Sequence, residues 1–129
     1  MTIRSATAAA AASLLLLLAT ATACVPQSEL PDDCDAGAVQ RGATLADDQL
    51  DPDAIDVCRG QRVTLEIAVE QDGVLHLHGY DDEAPATEVH AGDSLQLDFT
   101  AVRSGQFIIE LHGPEGTEAE VGVLTVHEP

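Results

Sequence analysis

The amino-acid sequence predicts an all-β domain, an antiparallel β-sandwich, carried behind an export segment. Three observations lead there. From Ala54 onward apolar and polar residues alternate at period two in short runs, the pattern of strands with one buried face. Turn residues such as Gln71-Asp72-Gly73 and Gly92-Asp93 separate the runs. No stretch of the mature part carries the apolar spacing of a helix, so six or so short strands must bury one another's faces in two layers.

The elements follow in order. Arg62 to Glu70 places Val63, Leu65, Ile67 and Val69 on one face and Thr64 and Glu66 on the other. Val74 to His78 forms a second strand, ended by Gly79. After the acidic loop Asp81-Asp82-Glu83-Ala84-Pro85 comes a short strand near Thr87 to Val89, and Ser94 to Thr100 alternates again through Leu95, Leu97 and Phe99. Gly105 opens the strand Gln106 to Leu111, and Val121 to Val126 closes the fold. Between Val25 and Pro52 the chain is rich in Asp, Pro, Gly and Ala with little periodicity, an acidic lead-in. Residues 24–35 are read as a flexible tether and 36–129 as the folded domain.

Residues 1–23 read as a signal peptide. Arg4 supplies the positive start, an Ala-rich stretch with Leu14 to Leu18 the apolar centre, and Ala21-Thr22-Ala23 the small residues before a cleavage point. Cys24 follows directly, as in a bacterial lipobox, where the cysteine becomes the lipidated N-terminus. The expected location is extracytoplasmic, at the cell membrane through that lipid. Ala-Thr-Ala also fits ordinary cleavage and a secreted or periplasmic protein, and the apolar run is about long enough for an uncleaved anchor. If Cys24 carries lipid, Cys34 and Cys58 remain as a pair, and export favours a disulfide between them. Closing a loop of about 25 residues would stabilise the domain by roughly 3 to 4 kcal/mol on the chain-entropy estimate. Metal ligation by these cysteines is the alternative, although neither has another cysteine or a histidine close in sequence.

Composition excludes several partners. The chain has 129 residues with 23 acidic side chains, five arginines and no lysine, a formal net charge of −18. Such a surface repels nucleic acid and anionic lipid headgroups, which leaves lipid on Cys24 as the membrane contact. With Tyr80, Phe99 and Phe107 as its only aromatics, the chain has little from which to build a stacking pocket. Cations are the class it attracts.

Histidines offer a way to hold them. His76 and His78 lie two apart on a strand, so both leave the same face with Cα atoms roughly 6 to 7 Å apart. His112 ends the strand Phe107 to Leu111, and in a sandwich such strand ends can meet at one pole. Three neutral imidazoles converging there would suit Cu(II) or Zn(II); Glu110, Glu120 and His90 are further candidate donors. The competing reading is that His76 and His78 decorate a solvent-facing strand, where any polar residue would serve.

The segment Pro52 to Leu65, with Ile55, Val57, Gly60, Val63 and Leu65, resembles the early strands of the cupredoxin family. Ala91-Gly92-Asp93, Gly105-Gln106-Phe107 and the Val121 to Val126 ending continue the likeness over roughly residues 36–128. The sequence also resembles small exported cupredoxin-like proteins with an H-x-H-G-Y-D segment, here His76 to Asp81, and an E-L-H strand end, here Glu110 to His112. The resemblance implies a Greek-key β-sandwich. It also implies electron transfer at a type 1 copper held by two histidines, a cysteine and usually a methionine. This sequence departs from that set: Leu111 stands where the copper cysteine would lie and Glu120 near the methionine, and the only methionine is Met1. Without a thiolate, blue-copper chemistry is not expected. What remains is a colourless copper or zinc site at His76, His78 and His112, or a metal-free structural or interaction domain on the cell exterior.

An enzyme is the class least supported. G-x-S-x-G, H-E-x-x-H and a glycine-rich phosphate loop are missing, and no thiol lies near a histidine in sequence. Asp81-Asp82-Glu83 reads as a solvated loop tip, and Tyr80 as a packing residue with its hydroxyl at the surface.

Overall fold

A computed structural model describes residues 29–129. The expected signal peptide, residues 1–23, and the expected lipidation site Cys24 lie outside the described residues. Nine strands build the domain: β1 (Ala38–Ala46), β2 (Gln49–Asp51), β3 (Ala54–Cys58), β4 (Arg62–Val69), β5 (Gly73–Leu77), β6 (Thr87–Val89), β7 (Ser94–Thr100), β8 (Gly105–His112) and β9 (Glu118–His127). They form a four-stranded sheet in the order β2-β1-β4-β7 and a five-stranded sheet in the order β3-β9-β8-β5-β6. The chain crosses between sheets after β2, β3, β4, β6 and β7, so each sheet draws on both halves of the sequence. No helix occurs among the described residues.

The period-two strands bury the faces their pattern assigns. Val63, Leu65, Ile67 and Val69 of β4 meet Leu75 and Leu77 of β5, Ile109 and Leu111 of β8, and Leu124 and Val126 of β9 in one core. Most pairs are antiparallel, but β1 runs parallel to β4 and β3 parallel to β9. Strand direction leaves no trace in a period of two, so these parallel contacts are an addition to the expected all-β sandwich.

The lead-in carries more structure than its composition suggested. β1 and β2 pair across the two-residue turn Asp47-Asp48, both with positive φ (51° and 58°). That is the backbone of a primed hairpin turn, which aspartate tolerates without glycine. Part of the expected tether is also fastened down. The Arg41 guanidinium pairs with Asp33 at 2.9 Å, and the buried Gln61 side chain donates to the Asp33 and Ala36 carbonyls at 2.7 and 3.1 Å. The expected disulfide joins Cys34 to Cys58, with Cα atoms 5.3 Å apart.

Tyr80 is placed differently from expectation. It is fully buried against Phe99 and Phe107. Its hydroxyl donates to the Arg103 carbonyl at 2.9 Å and accepts from the Arg103 amide at 3.2 Å. A buried hydroxyl needs such partners, and the loop after β7 wraps over the ring to supply them.

Candidate metal centre

The strand pairing of β5, β8 and β9 assembles the histidines. Val74 faces His112 and His76 faces Glu110 across β5 and β8, while Glu118 and Glu120 lie opposite His112 and Glu110 on β9. Leu75, Leu77, Ile109 and Leu111 alternate with these residues and are buried. His76, Glu110 and His112 therefore project outward. His78 continues the pairing just past β5, its amide donating to the Ile108 carbonyl at 3.0 Å. Gly79 then turns the chain with φ +83°, where an added Cβ would stand 2.6 Å from the Phe107 ring.

Of the three histidines named from the sequence, His76 and His78 lie side by side, with ring centroids 4.1 Å apart, while the His112 ring stands 6.4 Å from His76; among the described residues neither His76 nor His78 belongs to a group of three donors within 4.8 Å of one another. Their position is not the pole of the sandwich, as the sequence reading supposed, but the outer face of the five-stranded sheet. The reason is that His76 and His112 belong to strands whose opposite faces fill the core, and pleating sends them to solvent.

Carboxylates thread the cluster. Glu110, 20% exposed in its side chain, directs Oε1 to His112 Nε2 at 2.6 Å and Oε2 toward His78 Nε2 at 3.5 Å. His112 Nδ1 faces Glu118 Oε1 at 3.5 Å. His76 Nε2 bonds Asp81, and that bond, more than the backbone amides nearby, holds the Asp81 carboxyl below the usual aspartate range. Asp81 is thus tied to the cluster by its first carboxylate oxygen and to the Gly79 amide by the second, at 3.2 Å, and does more than cap a solvated loop. His78 Nε2 is the exception: the side chain is 44% exposed, but this atom is covered and has no hydrogen-bond partner, with Glu110 Oε2 3.5 Å away. An unpartnered buried nitrogen beside a carboxylate is costly unless something else binds it.

The donor set suits a borderline divalent metal. Imidazole with carboxylate is a common environment for Zn(II) and Cu(II). Glu110, His112 and Glu118 alone offer ligand atoms within 4.8 Å of one another. A thiolate site is not available among the described residues, because Cys34 and Cys58 are bonded to each other. Of the other candidate donors, Glu120 lies beside Glu110 on β9. His90 stands apart near Asp72 and Glu88, at 3.8 and 3.7 Å.

Sequence reasoning named Glu110 as a candidate but missed Glu118 and the part taken by Asp81. Glu118 was recoverable in principle, since Gly113 to Thr117 form a tight return that sets it opposite His112. Asp81 was not, because only the fold of the loop brings it back to His76.

No protein-family model matches the sequence, and no curated protein matches it. Similar solved structures share the fold. Auracyanin from Roseiflexus castenholzii aligns with 70% of this chain and 99% of its own at 20% identity and a TM-score of 0.51. Copper nitrite reductase from Nitrosomonas europaea aligns with 70% of this chain at 14% identity and a TM-score of 0.56. A laccase from Botrytis aclada aligns with 71% at 15% identity and a TM-score of 0.52. The match covers 42% of the nitrite reductase and 23% of the laccase, so this chain corresponds to one part of those larger proteins. With two sheets, the strand order described above and these neighbours, the chain has a cupredoxin-like fold.

Proposed function

We propose that this protein is an exported, lipid-anchored binding protein that holds a divalent metal ion, copper or zinc, at His76, His78 and His112 with Glu110, and that it is neither an enzyme nor a blue-copper electron carrier. One observation carries the metal reading: His78 Nε2 is buried and unpartnered beside a carboxylate, within a cluster of imidazoles. The names of the structural neighbours, a copper nitrite reductase among them, support copper as one candidate. A formal charge of −18 raises the local concentration of cations around the site. Anchoring rests on Cys24 following Ala21-Thr22-Ala23.

Calorimetric titration of the protein with Cu(II) and Zn(II) tests the site. Saturable binding tighter than millimolar is expected, and it is lost when His76, His78 and His112 are replaced together by alanine. A second reading has an observation in its favour: Asp81, Glu110 and Glu118 already give His76 and His112 partners. On that reading the domain is a metal-free structural or interaction module, and its melting temperature is the same with and without metal.

A further inference from the structure

Resting on that metal reading, we infer that the outer face of the five-stranded sheet is built for two divalent ions, with the Glu110 carboxylate bridging them. Donor number is the first argument. Six side chains border the cluster, His76, His78, Asp81, Glu110, His112 and Glu118. A four-coordinate Zn(II) or a tetragonal Cu(II) cannot use them all.

Geometry divides these donors into two groups. His76 and His78 have rings 4.1 Å apart and share the Asp81 side of the face, whereas the His112 ring lies 6.4 Å from His76 and faces Glu118. Glu110 stands between. Its two oxygens are addressed to different histidines, Oε2 toward His78 at 3.5 Å and Oε1 to His112 at 2.6 Å. A carboxylate that splits its oxygens between two imidazole groups is arranged as a bridge and not as a chelate to one ion. Glu110, His112 and Glu118 form a compact three-donor group, with ligand atoms within 4.8 Å of one another, without either of the other histidines.

Bridged two-metal sites hold their ions about 3.5 to 4 Å apart, near enough for two Cu(II) centres to couple magnetically.

Stoichiometry tests the inference. Titration of the purified protein with Zn(II), with metal content measured after desalting, is expected to give two ions per chain. Glu118→Gln with His112→Ala is expected to leave one, as is His76→Ala with His78→Ala. All four residues project from the outer face, and a far-ultraviolet spectrum matching the parent shows that each variant is folded. With Cu(II), the second equivalent is expected to lower the paramagnetic resonance signal of the first by coupling. One ion per chain in the parent, or two uncoupled Cu(II) signals, overturns the bridged pair while leaving the metal reading in place. No ion bound overturns both.

Discussion

Tyr80 and Glu110 each reach a partner that is remote in sequence, Arg103 for the one and His78 for the other. The Tyr80 hydroxyl exchanges hydrogen bonds with the backbone of Arg103, whose guanidinium also lies over the ring, 4.9 Å from its centroid. Removing only the hydroxyl leaves the Arg103 carbonyl and amide without that partner. Tyr80→Phe is therefore expected to destabilise the domain by about 0.5 to 1.5 kcal/mol, read from the midpoint of denaturant unfolding. Glu110 was legible as a candidate donor, but the partner of the Tyr80 hydroxyl was not. Local pattern marks Tyr80 as apolar packing, but the partner of its hydroxyl comes from a loop 23 residues away. In the same way His76 and His78 could be placed on one face from their spacing, whereas the carboxylates that bind the cluster together are set by pairing across β5, β8 and β9.

Among the elements, β4, β5, β7, β8 and β9 were readable because one face of each is buried and the alternation is strong. β1 was not. Its core-facing positions run Val39, Arg41, Ala43 and Leu45, and the arginine breaks the apolar period. Arg41 is tolerated there because its side chain reaches the rim, where Nε donates to the Asp56 carbonyl at 2.8 Å and Nη2 pairs with Asp33. The turn into β2 lacked the usual glycine, which hid the hairpin as well. Pairing of β4 with β7 brings Asp98 opposite Thr64. Asp98 accepts from Gln96 Nε2 at 2.6 Å and from Thr64 Oγ1 at 2.7 Å, and these bonds hold its carboxyl below the ordinary value of 3.8. A depressed folded pKa means stability that is present above the unfolded value and is lost as pH falls through the folded one. Asp98→Asn is thus expected to flatten the loss of stability on the acid side, in melting curves taken from about pH 5 downward. An unchanged slope would remove Asp98 from that account.

The described part of the molecule is a small sandwich whose entry segment is crosslinked to the edge strand β3 and whose five-stranded sheet carries the histidines and carboxylates on its outer face. The Cys34–Cys58 disulfide ties the entry segment to the end of β3. It lowers the entropy of the unfolded chain by an amount worth roughly 3 to 4 kcal/mol, a large fraction of the stability of a domain this size. His90 and His127 provide built-in controls: His90 stands with Asp72 and Glu88, and His127 is buried with Asp56 at 2.7 Å. The most direct measurement is nuclear magnetic resonance of the five imidazoles during titration with Zn(II). The account predicts that the ring nitrogens of His76, His78 and His112 move together while those of His90 and His127 stay in place. Shifts confined to His90 or His127, or none at all at millimolar zinc, would contradict it.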